Sequence, residues 1–449
     1  MEKTAGFARR LEQLFWAFLF VNPFLDILNG IYINVVMGVN VLDVKFTSTL
    51  GVTPSLVVRM AMLVVFALYI LLVRDKRSIL TAAAIGACWL LSMASEKLSL
   101  GTVQVFLDSQ YAARFCYNIV LLMVYTRVFA ARRGDDGEGL LRRLNDIAAF
   151  TLGILSLSIL ISAVVGIGYS TYADRLGYRG SRGFFYAGND ITAVLALLLP
   201  VCTASLTNMD RALAGRARCV LYAAACGLGA NALVIIGSKT AFIAFGATYV
   251  LLIAAAVIEL VRGGFGRHCR GVLMCLGSAA VIFGILMALS GMELWYSIVS
   301  SFNVTGELAQ NEGLSTAIMS GRQFKLSEHF ARFRAGGPLV WLFGLGRGAV
   351  DEILEMDVFE VLFYYGAAGC AAFLWLYVKA AIDFFRTFLR RRDLMCASLV
   401  LSLAMCAGYL IMAGHILFSV TSGFYFIFVI VYSRAYFSKS SGDILLWKK

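Results

Sequence analysis

The chain has 449 residues, of which 60% are hydrophobic and 15% are charged. Soluble globular proteins contain roughly 45–50% apolar and about 25% charged residues, so this apolar excess cannot be buried in one water-soluble core. The composition therefore excludes secreted, cytosolic, disordered and fibrous classes and indicates a polytopic membrane protein. In such a protein the net charge of +12 indicates uneven charge on the two membrane sides rather than a nucleic-acid partner.

Twelve apolar segments follow one another along the chain, each close to the roughly 20 residues that a helix needs to cross a bilayer. We predict membrane spans at about 14–35, 54–73, 78–95, 111–131, 144–168, 189–207, 219–237, 240–261, 271–290, 358–384, 394–413 and 416–436. The ten Cys lie in apolar segments or beside basic loops, and no spacing among them indicates a disulfide framework or a metal site.

The basic residues predict the orientation of these spans. If the N-terminus is cytoplasmic and the spans alternate, the cytoplasmic segments contain 26 of the 39 Lys and Arg, and every such segment is basic. Both termini are then cytoplasmic, and the segments 169–188 and 291–357 lie outside. We predict one membrane domain over 1–449, with 291–357 as a long outer loop between the ninth and tenth spans.

Eight of the 13 other basic residues fall in those two outer segments, where topology disfavours them. They are Arg175, Arg179, Arg182, Arg322, Lys325, Arg332, Arg334 and Arg347. An anionic ligand is the simplest reason for their presence. The alternative is that they pair with nearby acids, which are Asp174, Asp190, Glu328 and Asp351.

Part of the long outer loop has the pattern of an amphipathic helix. Leu326, Phe330 and Phe333 recur at i, i+4 and i+7, and Ser320 is the expected N-cap. The Gly-Gly-Pro sequence that follows residue 335 ends the pattern. We expect this helix to lie on the outer membrane surface with its basic edge towards lipid phosphates.

Three other polar positions stand near the outer mouth. Lys239 lies in a Gly-Ser-Lys-Thr sequence that lacks the upstream Gly of a phosphate-binding loop. His415 lies in the turn between the last two spans, where a structural hydrogen bond is favoured over catalysis. Asp26, inside the first span, either faces the bundle interior or caps a helix broken by Pro23.

Glu355, Asp357 and Glu360 cluster where the long loop re-enters the membrane. One interpretation is a solvated end of a span. The other is that a carboxylate near the membrane surface acts as a general base, with burial beside apolar walls raising its pKa towards the working range.

Three stretches together resemble the O-antigen ligase/polymerase superfamily of bacterial envelope glycosyltransferases. Their order, their spacing and the late outer loop all fit, and the resemblance covers roughly 150–435. The stretches are RGSRGFFYAGNDITAVLALLLP, SGRQF with the later PLVWLFGLGRG, and EMDVFEVLFYYGAAG.

One departure from the superfamily pattern bears on the reaction. Its lipid-A core ligases typically have His-Asn eleven residues before the first Gly of a Gly-x-x-Gly element. Here that Gly is Gly366, and the position eleven residues before it is Glu355, in a Glu-x-Asp run. This resembles the acidic variant common among polymerases and favours repeat-unit polymerisation.

The resemblance implies an all-α, GT-C-like enzyme that uses a glycan on polyprenyl diphosphate at the outer face of the bacterial cytoplasmic membrane. The departing diphosphate needs permanent positive charge, for which the candidates are Arg179, Arg182 and Arg322. Glu355 is the candidate base, with Asp357 second, and attack opposite the diphosphate inverts the anomeric centre. The supporting residues are Asn189, Lys239 and His415.

No metal and no cofactor is expected, because the arginines hold the charge. The expected partners are the lipid-linked donor, a glycan acceptor, the bilayer, and chain-length or flippase proteins. One alternative is a ligase that transfers finished glycan to a lipid or cell-wall acceptor. Another, from a different class, is a flippase, although transporters place ionisable groups at mid-membrane and often show two similar halves.

Overall fold

A computed structural model describes residues 2–38, 53–172, 179–209, 215–349, 353–389, 393–438 and 445. The first nine long helices follow in chain order. They are α1 (Glu2–Ile31, continued by a π-helical turn, Tyr32–Val36), α2 (Pro54–Leu72), α3 (Lys76–Leu100), α4 (Val105–Asp135), α5 (Gly137–Val165), α6 (Gly188–Asn208), α7 (Arg216–Ile236), α8 (Lys239–Gly263) and α9 (Arg267–Glu312).

Six further helices complete the described part of the chain. They are α10 (Leu314–Met319), α11 (Arg322–Ala335), α12 (Gly337–Phe343), α13 (Asp357–Phe388), α14 (Leu394–Met412) and α15 (Ser422–Phe437). A two-stranded antiparallel sheet lies between α5 and α6, formed by β1 (Ser170–Tyr172) and β2 (Arg179–Ser181).

The predicted fold class is confirmed. Eleven helices of the described ranges are long and apolar enough to cross a membrane, and α15 is a shorter apolar helix of 16 residues. Each of the first eleven predicted spans overlaps one of the eleven long helices. The last, predicted at about 416–436, overlaps the shorter α15, which begins at Ser422. The protein is an all-α polytopic membrane protein.

Helix α6 forms the centre of the bundle. Residues 191–207 of α6 are all buried, and α6 contacts α5, α7, α8, α9, α14 and α15. A helix that is apolar all round is typical of a protein core or a membrane span, and α6 is buried among its neighbours. Its N-terminal end therefore carries Asn189 and Asp190 into the protein interior at the predicted outer side.

The predicted outer loop is largely helical. Helix α9 breaks at Gly291, where φ is 61° and ψ is −151°, and then continues to Glu312. Three short helices follow. Apolar periodicity identified only α11 in advance, because the other pieces are short or carry no clear stripe.

Helix α11 is confirmed, but its predicted cap is wrong. Ser320 is the last residue of the α10 turn, in the left-handed region with φ of 56°, and Gly321 precedes the first turn of α11. Phe333 packs on Phe363 of α13 with ring centroids 5.4 Å apart, whereas Phe330 is 51% exposed. The apolar stripe therefore attaches α11 to the bundle along part of its length.

Candidate functional site

A cavity of about 240 Å³ opens where the predicted outer ends of several spans meet. Its walls come from the end of α1, the beginnings of α2, α4 and α6, and the segment between α14 and α15. The polar and aromatic residues lining it include Asp26, Asn29, Arg59, Gln110, Tyr111, Arg114, Tyr186, Asp190, His415, Ser419 and Thr421. These helix ends share one side of the bundle, as the predicted alternation of spans requires.

The first residue of α13 fixes the turn that closes one wall of this cavity. The Asp357 carboxylate accepts hydrogen bonds from the backbone N–H groups of His415, Ile416 and Leu417, at 2.8, 2.6 and 2.9 Å. Its side chain is fully buried. With both oxygens engaged, Asp357 is better suited to positioning His415 than to taking a proton from a substrate.

Asn189 supports the same turn from the opposite side, because its side-chain amide donates to the carbonyl oxygen of Ala413 at 3.2 Å. The neighbouring Asp190 accepts from the hydroxyl groups of Ser419 and Ser422, both at 2.9 Å. The predicted supporting role of Asn189 is thus compatible with its contacts. Asp190 pairs with hydroxyl groups rather than with an outer arginine.

Glu355 precedes α13 in a strained conformation, with φ of 59°. Its backbone N–H donates to Glu360 Oε1 at 2.8 Å, and its carbonyl group lies so close to Gly414 that a Cβ there would clash. Non-glycine residues in the left-handed region cost roughly 1–3 kcal/mol and persist where surrounding contacts enforce them. These contacts hold the Glu355 side chain at a fixed point beside the 413–417 turn.

The first residue of α11 reaches this carboxylate. Arg322 forms an ion pair with Glu355 through Nη2, and its Nε donates to the same carboxylate oxygen at 3.1 Å. Burial raises the pKa of Glu355, but the positive charges around it, Arg322 first, outweigh burial and lower the pKa. The expectation of a raised pKa is therefore wrong for Glu355 in this state.

His415 joins the ion pair to the cavity. It lines the cavity wall and has a left-handed backbone with φ of 83°. Burial lowers the pKa of His415 to about 4; Glu355 opposes this shift, while Arg114, Arg322 and Arg347 reinforce it. The imidazole is therefore neutral at physiological pH and stands among several guanidinium groups.

The other predicted arginines have different surroundings. Arg179 on β2 forms an ion pair with Glu307 of α9 at 2.7 Å. Arg182 lies over the Tyr169 ring, 5.4 Å from its centroid, and its Nε is buried without a hydrogen-bond partner among the described residues. Burial lowers the pKa of Arg182. Arg182 thus retains unused donors, whereas Arg179 has an acidic partner away from Glu355.

Lys239 supports the Arg322 turn rather than a nucleotide. At the start of α8 its Nζ donates to the carbonyl oxygen of Ala317 and to Ser320 Oγ, the latter at 3.1 Å. Both acceptors lie immediately before Arg322. This contact explains why a basic residue lies at the outer mouth of the bundle, although the sequence there does not form a phosphate-binding loop.

The acid-pairing alternative is correct for some of the outer arginines. Arg332 pairs with Glu328 one helical turn away at 2.8 Å, as that alternative allows. Asp174, Arg175 and Asp351 lie outside the described residues. The outer charges thus divide into locally paired residues and residues directed to the cavity region.

Two residues near the cavity were not assigned a role from sequence. Glu360 is fully buried, with its Oε2 lacking a hydrogen-bond partner among the described residues. Arg114 lines the cavity from α4. A charged residue inside an apolar span is the signal that would have identified Arg114, because such residues are costly unless they serve a site.

Asp357, Glu360 and His415 also place possible metal-ligand atoms within 4.8 Å of one another. Both Asp357 oxygens already accept backbone hydrogen bonds. These bonds explain why a carboxylate is buried at position 357, because it stabilises the 413–417 turn. A metal-independent reaction stays a prediction.

Comparison with known families agrees with the fold. The family model described as O-antigen ligase like membrane protein matches residues 8–299. The match covers more than half of the chain, and the chain belongs to this family. No curated protein gives a significant match. The matched range includes Arg182 and residues 8–150 but ends before Arg322, so the Arg322–Glu355 contact rests on its own geometry.

Proposed function

We propose that this member of the family is a glycosyltransferase that polymerises polyprenyl-diphosphate-linked repeat units of a surface polysaccharide at the outer face of the bacterial cytoplasmic membrane. The observation that carries the proposal is the Arg322–Glu355 pair beside His415 and the cavity. It joins a permanent cation suited to phosphate with a carboxylate suited to proton transfer. Family membership supports transfer of a glycan in general terms.

The reaction needs one base and a stabilised leaving group. The acceptor hydroxyl oxygen attacks the anomeric carbon of the donor and forms the new glycosidic bond. The bond between that carbon and the diphosphate oxygen breaks, and its electron pair leaves with the diphosphate. Glu355 takes the hydroxyl proton. Because attack comes from the side opposite the diphosphate, the anomeric configuration inverts.

The ion pair links donor binding to the strength of the base. In the structure Arg322 is bound to Glu355 and lowers the pKa of that carboxylate. A diphosphate that takes Arg322 as its own partner removes this influence and adds negative charge. The pKa of Glu355 then rises, so the base is strongest when the donor is in place.

Arg182 is the second candidate for the diphosphate, because its buried Nε has no hydrogen-bond partner among the described residues. Arg179 is a weaker candidate, since its ion pair with Glu307 would have to break first. Lys239 and Asn189 act indirectly through the turns that they hold.

The function is tested with purified protein in lipid nanodiscs and a lipid-linked repeat unit. We expect longer lipid-linked chains and free polyprenyl diphosphate, without a membrane gradient. Glu355→Gln should lose the activity, while Glu328→Gln on exposed α11 controls for a change of the same kind. Movement of the intact lipid across the bilayer without bond formation would favour the flippase alternative and contradict the proposal.

Polymerase and ligase are distinguished by the lipid-linked species that accumulate when the gene is deleted. Single repeat units indicate a polymerase, because nothing extends them. Finished long chains indicate a ligase, because nothing removes them from their lipid. The family description names a ligase, while the acidic Glu355 position favours the polymerase.

The proposed orientation is tested by cysteine labelling with an impermeant reagent. Ser315→Cys, on α10, should label in intact cells. Ser440→Cys, near the C-terminus and outside the described residues, should label only after permeabilisation. Labelling of Ser440→Cys in intact cells would contradict both cytoplasmic termini and an outer reaction site.

A further inference from the structure

Four of the described arginines on the predicted outer side have a described carboxylate partner. The pairs with N–O contacts of 4.0 Å or less are Arg59 with Asp26, Arg179 with Glu307, Arg322 with Glu355, and Arg332 with Glu328. Each pair explains its arginine by local charge balance. An outer arginine that lacks such a pair needs a different explanation.

Arg114 has no ion pair with any described acid, although two acids share its cavity. Asp26 is engaged by Arg59, Asn22, Thr421 and Tyr425. Asp190 accepts from two serine hydroxyl groups. Both carboxylates are therefore committed to other partners.

Arg114 lies inside its membrane span, near the outer end. It stands nine residues after the start of α4 and three residues after residue 111, where the predicted span begins. Its guanidinium carbon lies 5.5 Å from the Tyr111 ring centroid. A ring face attracts the cation but satisfies none of its five N–H donors as a hydrogen-bond acceptor would. A charge inside a span, facing a cavity, is expected to serve a ligand.

The ligand position follows from His415. That imidazole lines the same cavity as Arg114, and the charges of both Arg114 and Arg322 act on it. Arg322 comes from α11, within the large outer segment, and Arg114 comes from α4 in the first third of the chain. The two guanidinium groups therefore approach the His415 region from different parts of the bundle.

We propose that Arg114 binds the donor's diphosphate from the cavity side, together with Arg322. This inference rests on the proposed function. A diphosphate carries two phosphoryl groups, and two arginines from separate elements match them as independent bidentate partners. Arg114 would thereby hold the leaving group beside the cavity, and its assignment adds α4 to the diphosphate site.

Binding of glycan-free lipids tests the inference directly. The probes are farnesyl diphosphate and farnesyl monophosphate, titrated calorimetrically into the full-length protein in detergent. We expect Arg114→Gln to weaken diphosphate binding about 10- to 100-fold, the range for a charge-assisted contact, and monophosphate binding less. Arg114→Lys should fall between, because a point charge loses the bidentate geometry. Arg334→Gln, the same charge change on exposed α11, is the matched control.

The outcomes separate this inference from the proposed function. If the wild-type protein binds neither probe, both fail. If Arg322→Ala loses diphosphate binding and Arg114→Gln keeps it, only the Arg114 assignment fails. Unchanged probe binding with slower turnover of an acidic repeat unit would assign Arg114 to a sugar carboxylate and also overturn it. If Arg114→Gln does not fold, wild-type affinity and selectivity in folded Arg114→Lys would contradict the inference.

Discussion

Two arginine–carboxylate pairs stand beside the same cavity and differ in every other respect. Arg59 and Asp26 are almost completely enclosed, with side-chain exposures of 2% and 0%, and Asn22, Thr421 and Tyr425 also bond to Asp26. Arg322 and Glu355 are 14% and 29% exposed, and Glu355 has a strained backbone. The enclosed pair has the surroundings of a structural element. The accessible pair, Arg322 and Glu355, has the surroundings of an ion pair that exchanges partners.

The largest expected effect is the loss of product when the accessible pair loses its cation. We expect Arg322→Ala, and independently Arg182→Ala, to abolish detectable polymer at near-normal protein levels, because the leaving diphosphate loses a partner. Arg→Lys should restore activity only in part. Gel analysis of polymer in cells, with immunoblotting of the protein, measures both. Wild-type amounts of polymer in both alanine variants would refute the proposal that these arginines bind the diphosphate.

Next in size is the loss of the base. Glu355→Gln keeps the side-chain shape and removes basicity, so the initial rate should fall about 10²–10⁴-fold, with donor binding retained. Glu355→His should keep some activity, because imidazole also accepts a proton near neutral pH. Purified enzyme with a lipid-linked repeat unit gives the rates. An unchanged Glu355→Gln rate would remove Glu355 from the mechanism.

The enclosed pair should respond in stability instead of rate. Removal of one partner of a buried ion pair costs about 3–5 kcal/mol, because the other charge stays buried and unpaired. Arg59→Met should therefore lower the thermal unfolding midpoint in detergent much more than Arg322→Ala does. The double variant Arg59→Met/Asp26→Asn should recover part of the loss. Equal midpoints for Arg59→Met and Arg322→Ala would mean that the two pairs do not differ in this way.

The pH dependence of kcat and of kcat/KM tests whether Arg322 leaves Glu355 when the donor binds. In the free enzyme the pKa of Glu355 is lowered, so the base stays ionised below its ordinary value of about 4.3, and activity is lost only as pH falls through the lowered pKa. With donor bound, Arg322 no longer neutralises the carboxylate, and the pKa of Glu355 rises. The acid limb of kcat should then lie above that of kcat/KM. Coincident limbs would argue against exchange of Arg322.

The smallest effect is expected for an exposed ion pair that lies away from the candidate site. Arg332 and Glu328 are 47% and 64% exposed on one face of α11, and exposed pairs contribute about 0–1 kcal/mol. Arg332→Ala should leave polymer length and unfolding midpoint close to wild type. A large loss of polymer would show that the basic edge of α11 acts in the reaction.

Much of the fold followed from the sequence because lipid imposes a simple pattern. Every span needs an apolar stretch of similar length, so the eleven long helices and the shorter α15 each overlap a predicted span. The outer segment after residue 290 escaped this rule, since short helices such as α10 and α12 have too few turns for a readable stripe. The prediction that Ser320 caps α11 was wrong for a local reason. Serine is common at N-caps, but here it ends the preceding turn.

The site was only partly predictable. Motif resemblance selected Arg322 and Glu355, which the structure brings into contact. It did not show that Asp357 would be occupied by three backbone N–H groups, because these come from a turn 58–60 residues later in the chain. Nor did it distinguish Arg179 from Arg182, because the acid opposite Arg179 belongs to the continuation of α9 beyond Gly291.

The shortness of α15 has a consequence for where a donor lipid can react. Sixteen residues span about 24 Å at 1.5 Å per residue, less than the roughly 30 Å of a hydrocarbon core. Non-helical backbone occupies the missing turns, and Asn118 bonds there to the carbonyl oxygens of Leu417 and Ser419 at 2.8 and 3.0 Å. Such backbone is tolerated at membrane depth only inside protein or beside water. Ile416, Leu417 and Phe418 are buried, and His415, Phe418 and Ser419 line the cavity. The short helix therefore leaves room for the cavity at its outer end, and under the proposed function this is where the donor's sugar enters while its isoprenoid tail stays in the bilayer.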